Sequence, residues 1–223
     1  MLYKFFYLFP EAKKVSLIGD FNNWQGDKNP MEMDEEGVWC TELKLKPAEY
    51  YYKFLIDDKF TMNDPTANMY LPYDKEEEKL ASVYIINEKG QHMQNTRTYK
   101  LHLENYLMSD KILNTFSEKD KKHFENKDEK VLVHFNFTEV EGIHTLSIVW
   151  NNPEGKYYHY TEGILWQEKM TEPVDIWFWL DLKKQMTSGE WYFDIYLNGA
   201  FLFNDYFRLF SEEKNSHFVN LKA

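Results

Sequence analysis

GVWCTELKLK, residues 37–46, alternates strictly: Trp39, Thr41, Leu43 and Leu45 fall on one side, with Val38, Cys40, Glu42 and Lys44 on the other. A period of two is the signature of a strand with one buried face. The pattern spreads outward from here. KVSLIGD (14–20) precedes it, and EYYYKFLID (49–57) and LASVYIIN (80–87) follow. Turn formers separate these runs at Asn29-Pro30, Glu36-Gly37, Pro47-Ala48, Asp57-Asp58 and Asp64-Pro65. Short strands at this spacing predict a β-sandwich over residues 1–90. Phe54, Ile56 and Trp39 are expected in its core. The charged run from Tyr73 to Lys79 reads as a solvated loop.

A polar, weakly patterned stretch, NEKGQHMQNTR (87–97), marks the expected domain boundary. Period-two runs resume in YKLHLENYLM (99–108) and VLVHFNFTEV (131–140), and continue through HTLSIVW, KYYHYTEGILW, VDIWFWLDL, EWYFDIYL and AFLFNDYFRLF. Hairpin turns are expected at Asn152–Gly155 and Leu197–Ala200. The charged stretch between Leu113 and Lys130 reads as an exposed loop. The fold class is therefore all-β, with two immunoglobulin-like sandwiches in tandem, the second over residues 97–223. In IWFWL, Trp177 and Trp179 share one face, and Tyr157, Tyr158 and Tyr160 lie in a neighbouring run. This aromatic excess fits a second sugar platform, a protein contact or the packing seam between the sandwiches, and the seam is favoured.

Composition narrows the function. The chain has 223 residues, 43% hydrophobic and 18% aromatic, with 26 basic against 37 acidic residues and a formal net charge of −11. Both halves are acidic, which disfavours nucleic acid and anionic membranes as partners. No apolar run approaches the ~20 residues of a membrane span, and the apolar N-terminus is interrupted by Lys4, so a cytoplasmic protein is expected. Cys40 is the only cysteine, so no internal disulfide forms. The seven histidines show no tight metal-ligand spacing. Carboxylates such as Asp181, Glu190, Asp194 and Asp205 form only the loose pairings that any acidic chain offers. No cofactor is expected, and no catalytic residue is assigned.

GDFNNW (19–24) places a Trp in a loop, where it is either folded back over the core or displayed. The ordered set Val15-x-Leu17-x-Gly19-x-Phe21-Asn22-x-Trp24, Gly37-x-Trp39, Tyr50-x-Tyr52-Lys53-Phe54-x-Ile56-Asp57 and Asp64-Pro65 resembles the family 48 carbohydrate-binding modules. That family includes the glycogen-binding domains of AMP-activated kinase beta subunits and the N-terminal domains of isoamylases and branching enzymes. The resemblance covers the first 90 residues and implies an α-glucan site. Trp24 matches the family's stacking Trp, Phe60 its second stacking aromatic and Lys53 its hydroxyl-binding ammonium. Leu80 matches the apolar residue that enters the glucan curve, and Tyr84 stands where binders often carry Asn. Two further departures are a longer segment between Pro65 and Leu80, and Asp58 in place of the usual turn Gly. An indole can cover the C–H face of a pyranose ring, so Trp24 is read as displayed. Catalytic members of the family attach a barrel of about 250 residues. The strand-patterned second half does not accommodate one, and Cys40 lacks the nearby Arg of the family's phosphatases. The expected function is non-catalytic binding of α-glucan oligosaccharide or polysaccharide, with a glucan-metabolising enzyme as a further partner. The alternative is an interaction protein whose fold has lost its sugar. The two differ in whether Trp24, Lys53 and Phe60 form one exposed patch.

Overall fold

The computed structural model describes residues 1–73, 79–93, 100–112, 116, 119–169, 171–183 and 185–210. The charged residues 74–78, part of the boundary stretch (94–97) and residues 113–115 and 117–118 of the second charged run lie outside these. So does the end of the expected second sandwich, from 211 onward. The architecture is all-β. Two short 3-10 turns are the helical segments among the described residues.

The first half contributes β1 (Leu2–Leu8), β2 (Val15–Gly19), β3 (Glu32–Met33), β4 (Val38–Lys44), β5 (Ala48–Ile56), β6 (Phe60–Met62), β7 (Met69–Pro72) and β8 (Leu80–Ile86). They form two facing sheets, β1-β4-β3 and β2-β5-β8-β7, with β6 paired to β5. In β1, Tyr3, Phe5 and Tyr7 are buried while Leu2, Lys4, Phe6 and Leu8 face out, as the pleat requires. Leu17, Trp39, Leu43, Tyr52, Phe54 and Ile56 join the same core. The Trp39 indole N–H donates to the Phe9 carbonyl at 2.9 Å. Asp57 and Asp58 turn the three-residue β5–β6 hairpin with φ of 50° and 56°, and the Lys59 N–H donates to the Ile56 carbonyl at 2.9 Å.

The second half contributes β9 (His102–Ser109), β10 (His123–Glu125), β11 (Lys130–Thr138), β12 (His144–Asn151), β13 (Tyr157–Leu165), β14 (Val174–Asp181), β15 (Gly189–Leu197) and β16 (Ala200–Phe210). Sheets β14-β11-β9 and β10-β16-β15-β12-β13 enclose a second core. Val131, Val133, Phe135 and Phe137 of β11 face Ile148, Trp150, Phe193 and Ile195 there. The expected loop over 113–130 is partly structured, because β10 pairs parallel to β16 and a 3-10 turn follows at Asn126–Asp128.

The two sandwiches pack against each other through the outer face of β12, β13 and β15. Phe9 stacks on Tyr196 at 5.5 Å, and Phe60 lies parallel to both Tyr157 (5.2 Å) and Tyr160 (5.4 Å). The Tyr7 hydroxyl donates to the Gly199 carbonyl at 2.8 Å. Val149 and Tyr196 consequently belong to the first core cluster. Tyr157 and Tyr160 are seam residues as expected, but Tyr158, edge-on to Trp191 of the second core, and Trp177 and Trp179 are not. The two Trp residues lie on the outer face of the other sheet, where Trp177 stacks on His134 at 4.4 Å and Trp179 is 52% exposed. Their strand belongs to the sheet that turns away from the first sandwich.

Candidate functional site

The site begins at the end of β2. A Cβ on Gly19 would stand 2.4 Å from the Tyr51 carbonyl and 2.6 Å from the Phe21 ring, so only glycine lets the following turn lie against β5. Asn22 ties that turn together. Its side-chain oxygen accepts from the Gly19 N–H at 3.0 Å, and its amide donates to the Leu17 carbonyl at 3.0 Å and to Asn29 Oδ1 at 2.7 Å. Asn23 and Trp24 then both adopt positive φ, 55° and 59°. The Trp24 N–H returns to the Gly19 carbonyl at 2.8 Å. Left-handed backbone at a bulky residue costs about 1–3 kcal/mol. Here it turns the indole out of the core, so Trp24 is half-buried and stacks on Tyr73 at 4.5 Å, 21° from parallel.

Trp24 and Tyr73 line an open groove of about 440 Å3 with Asp20, Tyr51 and Pro72. Tyr51 comes from β5, where it alternates with the core residue Tyr52. The Tyr51 backbone N–H donates to Asp20 Oδ2 at 3.1 Å. Asp20 is exposed as a residue, but neighbours shield its carboxyl. Burial raises its pKa above the ordinary value, opposed by hydrogen bonds from the backbone N–H groups of Tyr51, Phe21 and Asp20 itself. Two rings, a carboxylate and a second phenol make a surface that can cover an apolar ring face and accept from hydroxyl groups at its rim. A second depression of about 510 Å3 lies at the β15–β16 end, where Arg208 pairs with Glu190 at 3.1 Å. Those two charges satisfy each other, and Phe210 is the one ring in its lining.

The other expected site residues are not brought to Trp24. Lys53 shares the outer face of β5 with Tyr51 but is 1% exposed, because the second sandwich covers it. Its ammonium meets Glu162 of β13 at 2.9 Å and the Leu80 carbonyl at 3.1 Å. Glu162 in turn accepts from the Tyr160 hydroxyl at 2.7 Å. Burial pulls the Lys53 pKa down while Glu162 pulls it back up. Phe60 is 8% exposed beneath Tyr157 and Tyr160, and Leu80 is 1% exposed. Tyr84, 8% exposed, points to the opposite side of its sheet, edge-on to Tyr3 and Tyr52 and stacked on His92 at 3.8 Å. Trp24, Lys53 and Phe60 therefore do not form one exposed patch. Conversely, Asp20, Tyr51 and Tyr73 line the groove without having been singled out. Asp20 sits within the GDFNNW stretch, and the period of β5 puts Tyr51 on the same outer face as Lys53. Nothing local marks Tyr73. Among the described residues no group of three or more His, Cys, Asp or Glu could hold a metal ion. No helix among them is long and apolar enough to cross a membrane.

Comparison with known proteins places the first sandwich. Residues 3–74 match the family model of carbohydrate-binding module 48, the isoamylase N-terminal domain. The 1,4-alpha-glucan branching enzyme of Halothermothrix orenii is 36% identical over 80 residues, 35% of this chain and 13% of that enzyme. A branching enzyme of Rhizobium etli is 41% identical over 61 residues, 26% and 7% of the two chains. A chloroplastic/amyloplastic branching enzyme of Oryza sativa subsp. japonica is 45% identical over 42 residues, 18% and 5%. This chain thus spans only a small fraction of these relatives' length. A solved immunoglobulin-like protein from Pseudomonas aeruginosa superposes on 50% of this chain and 97% of its own, at 11% identity and a TM-score of 0.34. Residues 3–74 carry the sequence pattern of carbohydrate-binding module 48, the domain that opens the isoamylases.

Proposed function

We propose that this protein is a non-catalytic, cytoplasmic α-glucan-binding protein whose sugar platform is the Trp24–Tyr73 groove. Residues 1–90 form the binding module in this reading, and residues 97–223 a second unit docked beside it. The carrying observation is the backbone at Asn23 and Trp24, two consecutive left-handed residues held by Asn22 and Gly19 so that an indole lines a groove instead of the core. Further support comes from the carbohydrate-binding module matched at residues 3–74, and from relatives named for acting on 1,4-alpha-glucan. The remainder of the expected site, Lys53, Phe60, Leu80 and Tyr84, has structural roles in this reading. A small, open contact of two rings predicts dissociation constants of about micromolar to millimolar for short glucans.

The absence of one exposed patch of Trp24, Lys53 and Phe60 supports a second reading, an interaction protein. Lys53 and Phe60 lie under β13, so that part of the first sandwich serves protein–protein packing. The first sandwich would then be a scaffold without a sugar. A pull-down on insoluble starch and glycogen, with β-cyclodextrin as soluble competitor, separates the readings. Glucan binding predicts retention that cyclodextrin releases and that Trp24→Ala abolishes, with a melting temperature within a few degrees of wild type. Wild type that fails to be retained supports the scaffold.

A further inference from the structure

We propose that Asp20 makes the Trp24 groove selective for uncharged glucans and rejects phosphorylated ones. The inference rests on the glucan-binding reading above and adds the ligand class. Among the described residues that line the groove, Asp20 alone carries a charge. Its carboxylate is oriented by the Tyr51 N–H, which donates to Oδ2 at 3.1 Å. Two carboxylate oxygens offer about four acceptor positions. The Tyr51 backbone N–H takes one of them, which leaves acceptor capacity for a sugar hydroxyl. A hydroxyl donating to a carboxylate makes a short, charge-assisted bond, so a neutral polyol is matched. A phosphate monoester is not, because it carries about −1.5 to −2 charge at neutral pH. In a groove of about 440 Å3, a phosphate on a bound sugar lies within the Debye length of about 10 Å at 0.1 M salt. Partial burial of the carboxyl further limits screening. Repulsion between such groups amounts to about tenfold or more in affinity. The net charge of −11 acts in the same direction.

The test is calorimetric titration of the full chain with maltoheptaose and with maltoheptaose carrying a phosphate on every glucose, so that one lies in the groove, at neutral pH and 0.1 M salt. Wild type is expected to prefer the neutral ligand by about tenfold or more. Asp20→Asn keeps a side-chain acceptor for the Tyr51 N–H, and its preference is expected to fall to within about threefold of parity, with melting temperature checked on the same sample. Equal affinity of wild type for both ligands, or an unchanged preference in Asp20→Asn, overturns the proposal. Trp24→Ala tells the two failures apart. If it loses maltoheptaose while Asp20→Asn leaves the preference intact, the groove stands and the role of Asp20 falls. Wild type that binds neither ligand overturns both.

Discussion

Trp24 and Asp20 stand four residues apart in one turn and respond differently to substitution. Trp24→Ala removes a half-buried ring and its stack on Tyr73. An aromatic pair is worth about 0.5–1.5 kcal/mol beyond burial, whereas a core Trp→Ala costs about 3–5 kcal/mol. Relief of left-handed strain does not follow, because Ala meets the same backbone penalty at φ 59°. Denaturant unfolding should therefore report a loss of about 1–2 kcal/mol for Trp24→Ala, and a loss above about 3 kcal/mol would place the ring in the core after all. Asp20 should reveal itself through pH. Its folded pKa is raised by burial, so the folded state holds the proton more tightly than the unfolded chain. At neutral pH the carboxylate is a burden on stability. That burden lifts as pH falls through the raised folded value, and the relief is complete below the unfolded value. Asp20→Asn is thus expected to melt at or above the wild-type temperature at pH 7, with the difference shrinking in mildly acidic buffer. Melting curves at several pH values check this, and a difference that widens on acidification would contradict it.

At the level of elements, the hairpin joining β15 to β16 is shaped twice over by Gly199. Asn198 and Gly199 have φ of 55° and 88°, and a Cβ at Gly199 would lie 1.8 Å from the Asn63 carbonyl oxygen of the first sandwich. Gly155 offers the control, with φ 72° and nothing within 4 Å of its Cβ position. Gly155→Ala should cost only the left-handed backbone term of about 1–2 kcal/mol. Gly199→Ala should cost clearly more, because the hairpin must also move off Asn63. Equal losses in thermal denaturation would mean that the hairpin does not press on the first sandwich. The strands themselves were legible from alternation, since GVWCTELKLK and VLVHFNF each set their apolar residues two apart, although in β11 Leu132 and His134 on the other face are buried too. The short β10 was not legible, because three residues inside a charged run carry too little periodicity and owe their place to pairing with Arg208, Leu209 and Phe210.

Across the whole molecule, the seam decides which part of the candidate site stays open, and the sequence hides it. Lys53 reads locally as a surface strand residue, yet its partner Glu162 lies 109 positions away. Period and motif report which face a side chain takes, but not what later packs on that face. The turn that keeps Trp24 out of the core was legible because it is built within residues 19–24. The Lys53–Glu162 pair has side chains only 2% and 7% exposed. Glu162→Gln strands a buried ammonium and should destabilise the protein by about 3–5 kcal/mol, whereas the joint change Lys53→Met with Glu162→Leu strands no charge and should cost less, limited to the lost hydrogen bonds of the Tyr160 hydroxyl and the Leu80 carbonyl. Urea unfolding of the three proteins decides the point, and a mild effect of Glu162→Gln would mean that water reaches the pair. The central claim concerns where on this molecule a glucan sits. The chain has seven Trp residues, so fluorine NMR of the 5-fluorotryptophan-labelled protein surveys its whole surface in one titration with β-cyclodextrin. The Trp24 signal, assigned by its loss in Trp24→Phe, should move progressively toward saturation while the signals of Trp39, Trp150 and Trp191 in the cores and Trp179 on the far sheet stay in place. A Trp24 signal that remains fixed at millimolar cyclodextrin, whether or not another Trp moves, would contradict the account.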